Sequence, residues 1–169
     1  MKIIEMLNTP KFVMLIGAPG SGKSTWIDDF VSSSPDAWVV LSTDAIIEKY
    51  ADDKNVTYAE AFAALPFKKV QSKFNIQAKD AFKNQYNVIW DQTNMTVKSR
   101  KKKLSQVPDN YETAAITFEI DREELRRRGE QRKGETGKEV PEKIIDQMID
   151  SYVRPTKAEG FSSIRIINK

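Results

Sequence analysis

The chain has 169 residues, a net charge of +3, 40% apolar residues, and neither cysteine nor histidine. That size and apolar content suit one domain with one core; without cysteine there are no disulfides, thiolate nucleophiles or zinc–thiolate sites, and without histidine a general base has to be a carboxylate or a lysine. No apolar run approaches the roughly 18 residues of a membrane span, and Met1 to Pro10 is too short for a secretory signal, so a cytoplasmic enzyme with no membrane contact is expected.

Residues 1–10 read as a helical or irregular lead-in closed by Pro10, with the domain itself over 11–169. Phe12 to Ile16 is a short apolar run of buried-strand type. Directly after it, Gly17-Ala18-Pro19-Gly20-Ser21-Gly22-Lys23-Ser24 satisfies G-x-x-x-x-G-K-[ST] without a gap. A helix is expected from Ser24 to about Ser32, broken by Ser34-Pro35. Strand, glycine loop and helix in this order form a phosphate cradle. Glycines let successive backbone N–H groups point inward, the helix N-terminus adds partial positive charge, Lys23 supplies a point charge, and the Ser24 hydroxyl can sit on Mg²⁺. Gly17, Pro19, Gly20, Ser21, Gly22, Lys23, Ser24 and Thr25 are therefore the candidate nucleotide-binding residues, with ATP or another nucleoside triphosphate as ligand.

Trp38 to Leu41 is a second buried strand, and Ser42-Thr43-Asp44 opens a helix to about Tyr50. Residues 51–55 read as a loop. Thr57 and Glu60 have capping-box spacing for a helix to about Leu65. From Pro66, Phe67, Val70, Phe74, Ala78, Ala81 and Phe82 fall on one face of a long amphipathic helix. Val88 to Trp90 is a third strand, followed by Asp91-Gln92-Thr93-Asn94 and a basic helix over 96–105. Residues 113–120 form a fourth strand, and Asp121 with Glu124 can start the next helix. Beyond Leu125 that helix has no apolar face; it carries Arg126, Arg127, Arg128, Gln131 and Arg132, and Gly129, Gly134 and Gly137 are expected to make its end mobile. Pro141 begins a helix with Ile144, Ile145, Met148, Ile149, Tyr152 and Val153 inward, and 163–167 is the last strand. Strands alternating with helices imply an α/β fold, one P-loop NTPase domain whose parallel sheet of about five strands is flanked by helices, with an arginine-rich lid over about 121–140. Ligands should bind beyond the carboxyl ends of the strands.

The chemistry-bearing residues fall at those ends. Asp44 is placed to act as a general base or to hold a metal-bound water; it is equally an acid favoured at a helix N-terminus. Asp91 can hold Mg²⁺ through water or simply end a strand. Thr43, Thr93 and Asn94 can orient substrate, and Thr93 and Asn94 can instead cap the helix at Thr96. Arg128 and Arg132, four apart, share a face and can neutralise charge on a reacting phosphate, or belong to a solvated helix laced with glutamates. Lys98, Arg100 and Lys101 to Lys103 can follow a nucleic-acid backbone or form a solvated basic face.

From Lys11 onward the chain resembles P-loop polynucleotide kinases, both the bacteriophage 5′-hydroxyl kinase domain and the nucleotide-binding domain of ribonucleoprotein U-type proteins. The resemblance is carried by residues 17–26, by Ser-Thr-Asp at 42–44, by Asp-Gln-Thr-Asn at 91–94, by Arg128-Gly-Glu-Gln-Arg132, and by Gly-Lys-Glu-Val-Pro at 137–141. It implies a kinase that moves the γ-phosphate of ATP, with Mg²⁺, onto 5′-hydroxyl ends of DNA or RNA. Lys23, Asp44, Arg128 and Arg132 would be catalytic, Asp44 as the base. Thr43, Thr93, Asn94, Lys98 and Arg100 would meet the substrate, and the setting would be nucleic acid repair, with a nucleic-acid ligase as partner, in the cytoplasm, including that of a phage-infected host. In the phage kinase, arginines flank the base; here Thr43 and Ile47 take their places. A small-molecule or nucleoside kinase, and a nucleotide- and RNA-binding module without phosphotransfer, are the alternatives.

Overall fold

The computed structural model describes residues 9–168, so all but the last two residues of the lead-in lie outside the described residues. Five strands form one parallel sheet: β1 (Lys11–Ile16), β2 (Trp38–Ser42), β3 (Asn87–Asp91), β4 (Glu112–Glu119) and β5 (Ser163–Asn168), in the order β2-β3-β1-β4-β5. The described helices are α1 (Lys23–Ser33), α2 (Thr43–Lys54), α3 (Tyr58–Ala64), α4 (Phe67–Lys83), α5 (Val97–Leu104), α6 (Arg122–Thr136) and α7 (Glu142–Ser151), with a 3₁₀ turn at Lys157–Glu159. β1 is the central strand, so the loop that follows it leaves from the middle of the sheet.

Side chains alternate across the pleat, and both faces of β1 are covered. Val13 and Leu15 pack with Ile89, Ile116, Phe118 and Ile27 of α1. Phe12, Met14 and Ile16 face the other way, onto Trp90 and the apolar stripe Val70, Phe74, Ala78, Ala81 and Phe82 of α4. Phe74 meets Trp90 edge-on with ring centroids 4.8 Å apart, and Phe82 reaches Phe12 at the start of β1. The C-terminus of α4 therefore lies by the strand starts, and its N-terminus points to the strand ends. Phe67, expected on the inward face, is 73% exposed there, because it precedes the first turn that touches the sheet.

Three other expectations change. Residues 51–54 are helical, not loop: Ala51 is buried, and Asn55 at φ 52° ends α2 by donating its N–H to the carbonyls of Ala51 and Asp52. α6 runs unbroken through Gly129 and Gly134 and stops at left-handed Gly137. In α7, Ile145 is buried and Ile144 is exposed, and the helix ends at Ser151, so Val153 lies beyond it and is exposed.

Arg100 is the largest departure. Expected on a substrate-binding surface, it has no exposed area. The register of α5 turns it inward, where its guanidinium forms a two-pronged ion pair with Glu159 and donates to the carbonyls of Asn94 and Met95 at 3.0 and 3.1 Å. Asn94 is likewise 1% exposed. At φ 52° its amide donates to the Leu15 carbonyl at 2.7 Å, while its oxygen accepts from Lys103. Both residues hold the turn after β3 and cannot meet a substrate. Removing one partner of a buried ion pair strands the other charge, so Arg100→Ala should cost about 3–5 kcal/mol in urea unfolding. Lys98→Ala, at an exposed position of the same helix, should stay within about 0.5 kcal/mol of wild type.

Candidate active site

The loop between β1 and α1 is built by its glycines. A Cβ on Gly17 would lie 2.5 Å from Ser21 Oγ, and Gly20 and Gly22 sit at φ 82° and 101°, a region closed to most side chains. The loop is also held from below, since Gly17 donates its N–H to the Thr93 carbonyl at 3.0 Å. Gly22 caps α1, so the first N–H groups of that helix face the same concavity.

Lys23 Nζ folds back onto the Gly17 and Ala18 carbonyls at 2.7 and 3.2 Å. Burial pushes its ammonium pKa down, the charges of Asp91 and Asp44 oppose that, and the charge of Arg132 adds to it. Asp91, Asp44 and Arg132 thus all lie near enough to Lys23 for their charges to act on it. Asp91, at the end of β3, is shifted up by burial, against the pull of Lys23 and a hydrogen bond from Ser42. Ser42 also accepts from the Ala45 N–H, capping α2 and fixing the first turn that holds Asp44.

Asp44 is exposed, and its Oδ1 accepts the Tyr58 hydroxyl at 2.7 Å. Burial and that bond raise the Tyr58 phenol well above its ordinary value. One turn along α2, Glu48 pairs with Lys138, whose ammonium lies 4.4 Å from the centre of the Tyr58 ring. Ile47, where the phage-type pattern has arginine, is buried with Ile46 and Ala51 in the core. Thr43 is half-buried beside Asp44.

α6 lies over the loop. Arg128 donates to the Gly20 carbonyl at 3.3 Å and is held by Glu124 at 2.7 Å. Arg132 Nε is buried without a hydrogen-bond partner, as is Ser21 Oγ. Two unpaired polar atoms beside a cradle of N–H groups suit a phosphate chain, which offers acceptors to Arg132 and Ser21. Among the described residues no three Asp or Glu side chains form a metal cage. Beyond Ala18, a cavity of about 680 Å³ opens between the ends of β4 and β5, lined by Ile120, Asp121, Leu125, Tyr152 and Arg154.

The loop residues, Asp44, Asp91, Arg128 and Arg132 thus come together. Thr93 joins them through its backbone. Lys98 lies apart on the exposed side of α5, and Asn94 and Arg100 serve the turn beneath. Sequence reasoning missed Tyr58, Glu48 and Lys138. The Thr57–Glu60 capping box, present as expected, does put Tyr58 at the first position of α3, but its reach back to Asp44 depends on how α2 and α3 pack.

The family model described as an AAA domain matches residues 12–155. The chain is 26% identical over 155 residues to transcription factor bHLH140 of Arabidopsis thaliana, covering 90% of this chain and 15% of that protein. Among solved structures it superposes on a chain of the Pnkp1/Rnl/Hen1 RNA repair complex with a TM-score of 0.68 and 25% identity, covering 85% of this chain and 44% of the other. It also superposes on a gluconokinase from Sinorhizobium meliloti 1021 with a TM-score of 0.56 and 13% identity, covering 95% and 83%, a likeness of fold alone. The chain thus spans less than half the length of the first two. Its architecture is a kinase-like P-loop fold, and no described helix is long and apolar enough to cross a membrane.

Because Asp91 is shifted up, its charge weakens the folded state at neutral pH, and that penalty disappears as the pH falls through the unfolded carboxyl value near 4. Without nucleotide, Asp91→Asn should therefore raise Tm at pH 7 by on the order of 1–3 °C. The gain should shrink towards pH 3.5 when melting is followed by circular dichroism.

Proposed function

The chain belongs to the AAA domain family, and on that footing we propose that it is an ATP-dependent kinase of 5′-hydroxyl ends of DNA or RNA. The observation that carries this reading is Asp44. It is an exposed carboxylate at the end of β2, held by Tyr58 on one oxygen, and close enough to the loop lysine to influence its proton affinity. A hydroxyl brought to the γ-phosphate from the α2 side meets the free oxygen of Asp44, which accepts its proton. Phosphoryl transfer asks little more of the protein than position and charge.

Lys23 and the N–H groups of Gly20 and of Gly22 to Thr25 hold the phosphates. Ser24, and Asp91 through water, would hold Mg²⁺, which when bound offsets phosphate charge. Arg128 fixes α6 on the loop, and Arg132 offers its unpaired Nε to the reacting phosphate. The cavity between β4 and β5 takes the nucleoside. Thr43 and Thr93 line the approach to Asp44, and Lys98 contacts a longer acceptor only at a distance. The likeness to a chain of an RNA repair complex supports nucleic-acid ends as acceptor, and a ligase as the partner that consumes the new 5′-phosphate. Over 121–140, α6 and its exit strap act as a lid within one domain spanning 11–169.

A small-molecule kinase is the second reading, favoured by Ile47: with that side chain in the core, the acceptor phosphate lacks the arginine beside the base. A binding module without transfer is the third. The deciding experiment incubates the protein with γ-labelled ATP, Mg²⁺, and a panel of 5′-hydroxyl oligonucleotides and small alcohols. Label on oligonucleotide ends is expected; transfer only to a small alcohol, or to nothing, sinks the first reading. Asp44→Asn should lower kcat by roughly 10²–10⁴-fold with the KM for ATP little changed. Arg132→Ala should lower kcat by at least about 10²-fold, measured under single-turnover conditions.

A further inference from the structure

The acceptor side of the site carries an aromatic and basic surface that no step above uses. Phe62 in α3 is 62% exposed, one turn beyond Tyr58, with its ring centre 6.2 Å from the Tyr58 ring and inclined 24° to it. Lys138 sits against the Tyr58 ring, and Tyr58 holds Asp44. The result is a layered column that starts at Asp44 and ends in an open aromatic face. Apart from the Tyr58 ring beside it, Phe62 keeps most of its surface open to water. Beyond it, Phe67 is 73% exposed at the N-terminus of α4.

From the second half of α3 through most of α4 the charge is one-sided. From Ala61 to Lys79 the sequence contains Lys68, Lys69, Lys73 and Lys79 and no acidic residue. Lys68, Lys69 and Lys73 are exposed, and among the described residues none of the three is in an ion pair. Lys69 and Lys73 are four apart and share one side of α4. The N-terminus of α4 points to the carboxyl ends of the strands, so rings and lysines both stand on the ligand-binding edge of the sheet. Open aromatic faces flanked by unpaired cations match single-stranded nucleic acid, whose bases stack and whose phosphates need counter-charge. A protein partner with an acidic surface would answer the lysines but has no need of a flat face beside a proton acceptor.

We propose that Phe62, backed by Tyr58, stacks the terminal base of the acceptor strand, and that Lys68, Lys69 and Lys73 carry the phosphates that follow it. The assignment rests on the kinase reading, and it supplies the acceptor grip that Ile47 leaves missing.

The test compares two 5′-hydroxyl oligonucleotides that differ only in a terminal adenine or an abasic terminal sugar. With saturating ATP, Phe62→Ala should lower kcat/KM roughly tenfold for the adenine end. It should leave the abasic end within about twofold, and Phe62→Tyr should restore the rate. Equal losses on both ends, or none, overturn the platform. Binding is read separately, without ATP, from the fluorescence of an oligonucleotide carrying 2-aminopurine at its 5′ end. Wild type should quench it and Phe62→Ala should not. Replacing Lys68, Lys69 and Lys73 by alanine should flatten the salt dependence of binding by a slope of about 2. Phe62-dependent quenching without phosphate transfer would end the kinase reading and keep the platform; transfer without such quenching would do the reverse.

Discussion

The hydrogen bond from the Asn94 side chain to the Leu15 carbonyl, at 2.7 Å, supports everything above it. At this point the pairing of β1 with β3 ends, Leu15 opposite Asp91 being the last pair in register. An unpaired buried carbonyl costs about 1–3 kcal/mol, and Asn94 removes that cost. One residue earlier in the same turn, the Thr93 carbonyl takes the Gly17 N–H. The turn is itself held by Arg100, which closes on the Asn94 and Met95 carbonyls and is neutralised by Glu159. A chain of buried polar contacts thus runs from the 3₁₀ turn before β5 to the first residue of the phosphate loop. Every link is satisfied, which is the condition under which such a network stiffens a structure.

What could be read from the sequence was whatever depended on neighbours in the chain. The phosphate loop, the strands around it and the Thr57–Glu60 capping box needed only local spacing. Arg100 was unreadable for the opposite reason. It lies in a run of lysines, and nothing local distinguishes it from them; its partner Glu159 is 59 positions away. Asn94 looked like a polar residue near a site because it is one, yet its side chain points down into the sheet. The span 51–54 misled because Asp52, Asp53 and Lys54 suggest solvent, whereas Ala51 buries against the core and carries the helix on to Asn55. Tyr58 required knowledge of packing between two helices, which periodicity does not contain.

The site's electrostatics follow from a shortage of water more than from any single pair. Lys23 is pushed towards neutrality and Asp91 towards protonation, each by burial, and each is restrained by the other's charge. Opposed shifts of this kind make both groups more receptive to a charged ligand, because a phosphate chain repays Lys23 and a cation repays Asp91. Ser42 links the two halves: it touches Asp91 and caps the helix whose first turn holds Asp44. The donor side and the acceptor side are therefore braced through one hydroxyl.

α6 is anchored by a single buried side chain, Leu125, at 2% exposed. Its other links are the Arg128 hydrogen bond to the Gly20 carbonyl and ion pairs near the surface. A rod pinned at one place moves by tilting, and displacement grows with distance from the pin. Arg128 is three residues from Leu125, about 4.5 Å along the axis, and Arg132 is seven, about 10.5 Å. Any tilt carries Arg132 more than twice as far as Arg128. A small tilt that left Arg128 against the Gly20 carbonyl would therefore draw Arg132 away from its place first.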